Sequence, residues 1–463
     1  MADRLSPTDM SFLYMEEPTT PMHVGSVSIF QLPEDGFDYD RLVALIRQRI
    51  AYVPRFRQRL RSIPGRLANP VWVDDGRFDL AYHVRRSALP RPGTDAQLRE
   101  LVARLMSRPL DRHRPLWEMY LVEGLQGNRF AIVSKTHFAV IDGVNTIDIA
   151  QVILDPAPET RPAPPDTWRP GQEPSWFELV AGAVSDVVRR PASALDTVRS
   201  GVHDLRHSAE RLAGAAGGLF AAARTAVRSA PATPLNVPIG EQRRYGTAAG
   251  ELDDYKRVRK AYGCTVNDVV LATVAGALRA WLQSRGVPVT SKTAVRALVP
   301  VSVRDDAKRI MLGNRVAANL IDLPVGEPSP VIRLEQISYA MRAVKDTYQA
   351  VGAEALVGIA GFAPPTLHAL GVRTASDWSR RLFNLVVTNV PGPQSALYAA
   401  GAQMLATYPV LPLAKAQSVS VGLTSYNGGM FYGLNADRDA MPDIDVLAQC
   451  LVEALGELVE TVR

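Results

Sequence analysis

Two α/β domains with mixed sheets flanked by helices, joined by a Pro-rich linker and a helical segment, are what this sequence predicts. Three observations carry that prediction. At 463 residues the chain is too long for one ordinary hydrophobic core. Short β-prone runs alternate with helical periodicity on both sides of the middle. Prolines are dense from Asp155 to Pro174, and a second Pro-rich break runs from Pro231 to Gly240. The expected division is 1–154, 155–240 and 241–463.

A hydrophobic content of 47% with 21% charged residues is that of a soluble globular protein, so disorder is not the default. The net charge of +5 comes from arginines spread along the chain and suits an anionic substrate or an acidic membrane surface. No zinc-finger spacing, RNA-binding aromatic pattern or basic block occurs, which argues against nucleic acid. Cys264 and Cys450 cannot build a disulfide framework, and no long apolar run follows Asp3 and Arg4. A reduced, cytoplasmic setting is expected. The most apolar stretches fail as membrane spans: Leu212 to Val227 contains Arg224, and Ala355 to Val372 contains Pro364-Pro365 and His368.

Leu5 to Asp9 supplies turn and cap residues, and Pro21 to Phe30 reads as an apolar strand in which His23 is structural. Asp40 to Arg49 and Gln97 to Met106 show helical spacing, with Asp38 and Thr94-Asp95 as start signals. Between them, Val71 to Val73 and Phe78 to Val84 are expected as strands around Asp74-Asp75-Gly76. Leu110 to Trp117 reads as a loop that locks a hairpin onto the sheet, with Trp117 in the core and His113 in solvent. Pro115 to Val122 and Arg129 to Thr136 form that hairpin around Gly124 to Asn128. Its second strand runs into Ser134 to Asn145, where Asp142-Gly143 supplies turn chemistry. By strand alternation, Phe130, Ile132, Ser134, Thr136 and Phe138 share one face, with His137 on the other.

Trp176 to Val227 is helical in pattern, with arginines such as Arg189, Arg199 and Arg206 beside the apolar positions. A basic amphipathic segment of this kind lies on an anionic membrane or lipid-droplet surface, or bridges two domains with its arginine face solvated. Cys264 to Ala272 enters a helix with Thr265 or Asn267 as N-cap. Ala297 to Arg304 reads as a buried strand, and Val419 to Leu423 with Met430 to Leu434 as a hairpin around Asn427-Gly428-Gly429. The Pro391-Gly392-Pro393 turn reads either as ordinary turn chemistry or as a shaper of a substrate tunnel.

Lys135 to Gly143 resembles the His-His-x-x-x-Asp-Gly signature of the bacterial wax ester synthase/diacylglycerol acyltransferases, within the CoA-dependent acyltransferase superfamily. Leu5 to Asp9, Pro21 to Phe30, Leu110 to Trp117, Cys264 to Ala272, Gly313 to Val316, Val386 to Pro393 and Tyr432 to Arg438 match the family in order and spacing. The resemblance implies two chloramphenicol-acetyltransferase-like domains around a cleft. It also implies transfer of a long-chain acyl group from acyl-CoA to diacylglycerol or a fatty alcohol, in one ternary complex, with acyl-CoA as substrate and no cofactor. Peripheral contact with a membrane or lipid droplet goes with such substrates. Carried over residue by residue, His137, Phe138, Asp142, Gly143 and Asn267 form the catalytic zone, and Asp268, Asn389, Pro391 and Gly392 the substrate-binding one. Asp142 is structural in the superfamily, with Arg304 as its expected arginine partner.

Aligned on Asp142-Gly143, the second signature histidine falls on Phe138. The family assigns that histidine as general base, and phenylalanine has no proton-accepting group. Two readings follow. The chain is an enzyme of reduced rate, with His137 turned into the base position or a water and Asn267 supporting a weaker reaction. Alternatively it is a catalytically silent binding protein for acyl-CoA or neutral lipid. A peptide-forming condensation domain shares the motif but fits its surroundings less well. No Gly-x-Ser-x-Gly elbow, phosphate-binding loop or dinucleotide fingerprint appears. His203 and His207, with Glu210 nearby, read as a polar helix face, so no metal is expected.

Overall fold

The computed structural model describes residues 3–5, 7–63, 69–141, 149–163, 165–179, 230–302, 316–350 and 382–462. In chain order these begin with β1 (Asp3–Arg4), α1 (Pro7–Met15), β2 (His23–Gln31), α2 (Tyr39–Arg49), β3 (Gln58–Arg61) and β4 (Val71–Asp74). There follow α3 (Leu80–His83), β5 (Val84–Ala88), α4 (Asp95–Met106), β6 (Trp117–Leu125), β7 (Arg129–His137) and α5 (Ile149–Val152). The later part holds β8 (Arg243–Glu251), α6 (Leu252–Tyr262), α7 (Val266–Ser284), β9 (Val295–Ser302), β10 (Val316–Leu323) and α8 (Pro330–Ala350). It closes with β11 (Leu385–Pro391), β12 (Tyr398–Ala399), β13 (Ala402–Val410), β14 (Val419–Tyr426), β15 (Gly429–Asp437) and α9 (Ile444–Glu460).

Two six-stranded mixed sheets organise these elements, in the orders β12-β13-β2-β7-β6-β5 and β10-β9-β11-β14-β15-β8. The expected α/β architecture with mixed sheets is what forms. The predicted hairpin is β6–β7, with Gly124, Gly127 and Asn128 in the left-handed region its turn requires. Helices start where the caps say: the Asp38 side chain accepts from Arg41 N–H, and Thr94 forms a capping box with Gln97. Helix α7 is apolar nearly all round because it is buried among the second sheet, α8 and α9. Among the described residues no single helix is long and apolar enough to cross a membrane. Leu212 to Val227 and Ala355 to Val372 lie outside those residues, as do His203, His207 and Glu210.

Three features differ from the expectation. Phe78 to Val84 is not a strand: the Asp79 carboxylate accepts the Ala81 N–H and starts the single turn of α3, and the strand begins only at Val84. The stretch from Asp155 to Glu173 is not a free linker. Asp166 is bidentate on Arg57, Trp168 lies under the same guanidinium at 4.8 Å, and Glu173 meets Arg59 and Arg61. The first sheet also takes two strands from late in the chain. β13 pairs antiparallel with β2, from Met404 opposite Phe30 to Val410 opposite Gly25, and Ala399, Ala402 and Met404 enter the core beneath α2. No local periodicity announces a partner nearly four hundred residues away.

Candidate active site

β7 ends at His137, directly opposite His23 of β2. A Cβ on Gly25 would sit 2.2 Å from the Ser134 carbonyl oxygen and 2.4 Å from the Met106 side chain, so β2 lies flush against β7 and α4 here. Lys135, buried beside this contact, donates to the carbonyls of Leu105 at 3.2 Å and of Arg108, and His23 donates to that of Met106 at 3.0 Å. Together they satisfy the last carbonyls of α4 and fix it to the strand pair. Burial pulls the Lys135 ammonium down to about 8 against the opposing pull of Glu118. Burial and then Lys135 hold His23 well below the ordinary histidine range, hence neutral.

Beyond His137 the chain turns, and every backbone N–H from 137 to 141 has an acceptor. His137 N–H bonds to the Leu116 carbonyl at 3.0 Å and Phe138 N–H to that of Met22 at 3.0 Å. Val140 and Ile141 close the turn onto the carbonyls of His137 and Phe138. Ala139 N–H goes to the ring nitrogen Nδ1 of His137 at 3.0 Å. Pro21-Met22 and Pro115-Leu116, which in sequence look like strand starts, are thus the two rails of the motif turn.

The side chains around this turn come from α1 and the two loops beside it. Phe138 is half-buried and stacks on Phe12, centroids 4.9 Å apart at 20°. His137 is 1% exposed, and its Nε2 faces the Glu16 carboxylate at 3.7 Å, longer than a hydrogen bond. Arg112 grips the same carboxylate from Nε at 2.9 Å and also through Nη2, while Met22 N–H donates to its other oxygen at 3.2 Å. The loop is tied in turn to the later part of the chain: Lys415 lies 3.2 Å from Glu17, and Arg243 donates to the Thr19 carbonyl. The motif therefore sits where the two sheets' territories meet.

His137 is enclosed, and its Nδ1 accepts the Ala139 N–H. Asp268 is buried, and its carboxylate accepts the Thr265 N–H at 2.8 Å in the α7 capping box. Asn267 stands half-buried in the first turn of α7, and Thr265 is the cap. Asn389 is half-buried on β11 opposite Leu423, and Pro391 lies opposite Ser425. A Cβ on Gly392 would come within 2.3 Å of the Ser425 carbonyl oxygen, so glycine is required for the close approach. Gln394 bonds the Gly392 carbonyl, Ser425 Oγ and the Gly428 N–H, knitting this turn to the β14–β15 hairpin. Among the described residues no hydrogen bond or ring contact joins Phe138 to Asn267 or Asn389. Asp142, Gly143 and Arg304 lie outside the described residues, as do Gly313 to Arg315.

Residues 5–270 match the model of the wax ester synthase/diacylglycerol acyltransferase catalytic domain, and residues 312–459 that of the WS/DGAT C-terminal domain. The chain belongs to the wax ester synthase/diacylglycerol acyltransferase family. A putative diacylglycerol O-acyltransferase of Mycobacterium tuberculosis is 36% identical over 98% of this chain and 99% of its own. A probable diacylglycerol O-acyltransferase of the same organism is 44% identical over 57% of this chain and 98% of its own. Among solved structures, the wax ester synthase/diacylglycerol acyltransferase of Marinobacter aquaeolei superposes with a TM-score of 0.72 at 29% identity, covering 99% of each chain. The first condensation domain of the CDA synthetase, at 15% identity and a TM-score of 0.57 over 100% of this chain and 97% of that one, shares the fold.

For this member of the family the charge placement at Glu16 has a consequence for stability. Burial alone would raise the Glu16 carboxyl, but His137 and then Arg112 outweigh it and bring it from the ordinary 4.5 down to about 2. A carboxylate depressed in the folded state contributes stability that is present above pH 4.5 and is lost as pH falls toward 2. Denaturant midpoints measured between pH 6 and pH 2 are expected to show this acid limb, shallower in Glu16→Gln; an identical limb in the variant overturns the assignment.

Proposed function

We propose that this chain is an acyl-CoA-dependent O-acyltransferase that transfers a long-chain acyl group to the hydroxyl of diacylglycerol or a fatty alcohol. The acceptor oxygen attacks the thioester carbonyl carbon, the new C–O bond forms, the C–S bond breaks, and the departing CoA sulfur ends with the proton. Acyl-CoA is a substrate, both substrates bind together, and the reaction as written calls for no cofactor. The observation that carries this reading is the family match, which extends over both sheets and the turn at His137. The silent binding-protein reading rests on Phe138 alone and is not favoured by relatives that carry diacylglycerol O-acyltransferase names.

The roles we assign are supported by the placement of Phe12, Phe138 and His137 at the motif turn. Phe138 and Phe12 wall the reacting centre with aromatic carbon, His137 supports the turn, and Asn267, half-buried in the first turn of α7, is assigned a polar role toward the acceptor. Diacylglycerol and fatty alcohols partition into bilayers, so the enzyme works from the cytoplasmic side as a peripheral guest of a membrane or lipid droplet. Position 138 carries no base, and general-base assistance typically supplies about 10²–10⁴-fold in rate. The unmodified chain is therefore a slow catalyst.

Radiolabelled palmitoyl-CoA, offered with diacylglycerol and with hexadecanol, tests this directly. Labelled ester is expected, matched by free CoA, with no label retained on the protein. Saturable palmitoyl-CoA binding without any ester over hours would replace the enzyme with a lipid-binding protein of the same fold.

A further inference from the structure

Two residues of the α1 end, one helical turn apart, touch two consecutive residues of the motif. Phe12 stacks on Phe138, and Glu16, whose N–H reaches the Phe12 carbonyl at 3.2 Å, faces the ring of His137. The side chain of Glu16 is only 8% exposed. Of the five N–H groups from His137 to Ile141, four bond backbone carbonyls, and only that of Ala139 depends on a side chain.

That side chain is the imidazole of His137, and its two nitrogens are coupled. An Nδ1 that accepts a hydrogen bond carries no proton, so the neutral ring holds its proton on Nε2. Nε2 is buried without a hydrogen-bond partner, and the carboxylate of Glu16 is the group it faces. A negative charge there favours an N–H pointing outward over a lone pair pointing outward. The opposite tautomer would turn a lone pair toward the carboxylate and set an Nδ1–H against the Ala139 N–H, leaving that donor unpaired in a buried turn.

We infer that Glu16 is a positioning residue for acyl transfer: its charge, anchored by Arg112 and the Met22 N–H, selects the His137 tautomer that accepts the Ala139 N–H and so fixes the turn presenting residue 138. Glu16 acts only through His137 and touches no substrate. Its kinetic consequence rests on the acyltransferase reading; its effect on the ring does not.

The test uses the full chain labelled with ¹⁵N-histidine. In the parent protein His137 is expected as a single Nε2–H tautomer with slow exchange of the Ala139 amide. In Glu16→Gln, which keeps the size and loses the charge, we expect mixed tautomers and at least tenfold faster Ala139 exchange. A single unchanged tautomer with unchanged exchange overturns the inference. If Glu16→Gln does not fold, Arg112→Gln, which alters an exposed guanidinium, is expected to shift the His137 nitrogens in the same direction, and unshifted resonances there overturn it equally. In a Phe138→His background, Glu16→Gln is expected to lower kcat at least tenfold with KM for palmitoyl-CoA within twofold, and Glu16→Asp to restore part of the loss. If no background shows activity, the acyltransferase reading fails while the nitrogen resonances still decide the role of Glu16.

Discussion

Phe138→His raises kcat for ester formation by about 10²-fold or more, with KM for acyl-CoA little changed. General-base catalysis spans about 10²–10⁴-fold, and the structure argues for the lower part of that range. The backbone is already in place, since the Phe138 N–H is held by the Met22 carbonyl and the His137 N–H by that of Leu116, whatever the side chain. An imidazole is smaller than a phenyl ring and keeps a face for Phe12. What the new ring lacks among the described residues is a polar partner to orient it, because the nearest arranged carboxylate, Glu16, is engaged with Arg112 and faces His137. A base whose orientation is not fixed gives up part of its advantage. Initial rates of CoA release and of labelled ester, with thermal melts of both proteins, measure the effect. Equal rates in two equally stable proteins would mean that the proton leaves the acceptor hydroxyl without help from position 138.

That expectation begins in the sequence, where a histidine is replaced inside a recognisable turn, but its supports do not. The hairpin, the capped helices α2, α4 and α7 and the β14–β15 pair were legible because period, caps and turn residues act locally. Phe78 to Val84 misled because aromatic and apolar residues favour a strand while one cap, Asp79, started a helical turn instead. Glu16 went unread as a functional residue: an acid followed by another acid and a proline looks like a solvated helix end. Only the register of His23 on His137 brings the segment after α1 back to the motif. Arg112, in a loop of charges, is visible as a partner only once that segment is placed. The same limit applies to β13, whose pairing with β2 depends on a connection that passes through β8 to β11 of the second sheet.

The segment after α5 shows what those long connections rest on, and Asp155→Ala is expected to cost about 3–5 kcal/mol. Asp155 and Arg49 are 1% and 3% exposed, with both carboxylate oxygens within 3.1 Å of the same guanidinium nitrogen. Arg161 closes on Oδ1 at 2.5 Å from the solvent side. The backbone of Asp155 forms a two-way bridge with Tyr398, at 2.7 and 2.8 Å, so one residue joins α2, the Pro-rich stretch and the β12 crossover strand. Removing the carboxylate leaves the Arg49 cation enclosed, with Nε already lacking a partner and Nη2 kept only by the Arg161 carbonyl at 2.8 Å. An unpaired buried charge is the expensive outcome, whereas removing both charges is not. Arg49→Met combined with Asp155→Leu should therefore recover most of the loss in urea midpoint, since Arg161 is more than half exposed and is solvated without its partner. A single variant within about 1 kcal/mol of the parent would mean that the Arg161 carbonyl suffices for Arg49. A double variant as damaged as the single one would mean that the ion pair supplies a specific geometry that apolar packing cannot, and that the crossover strand depends on it.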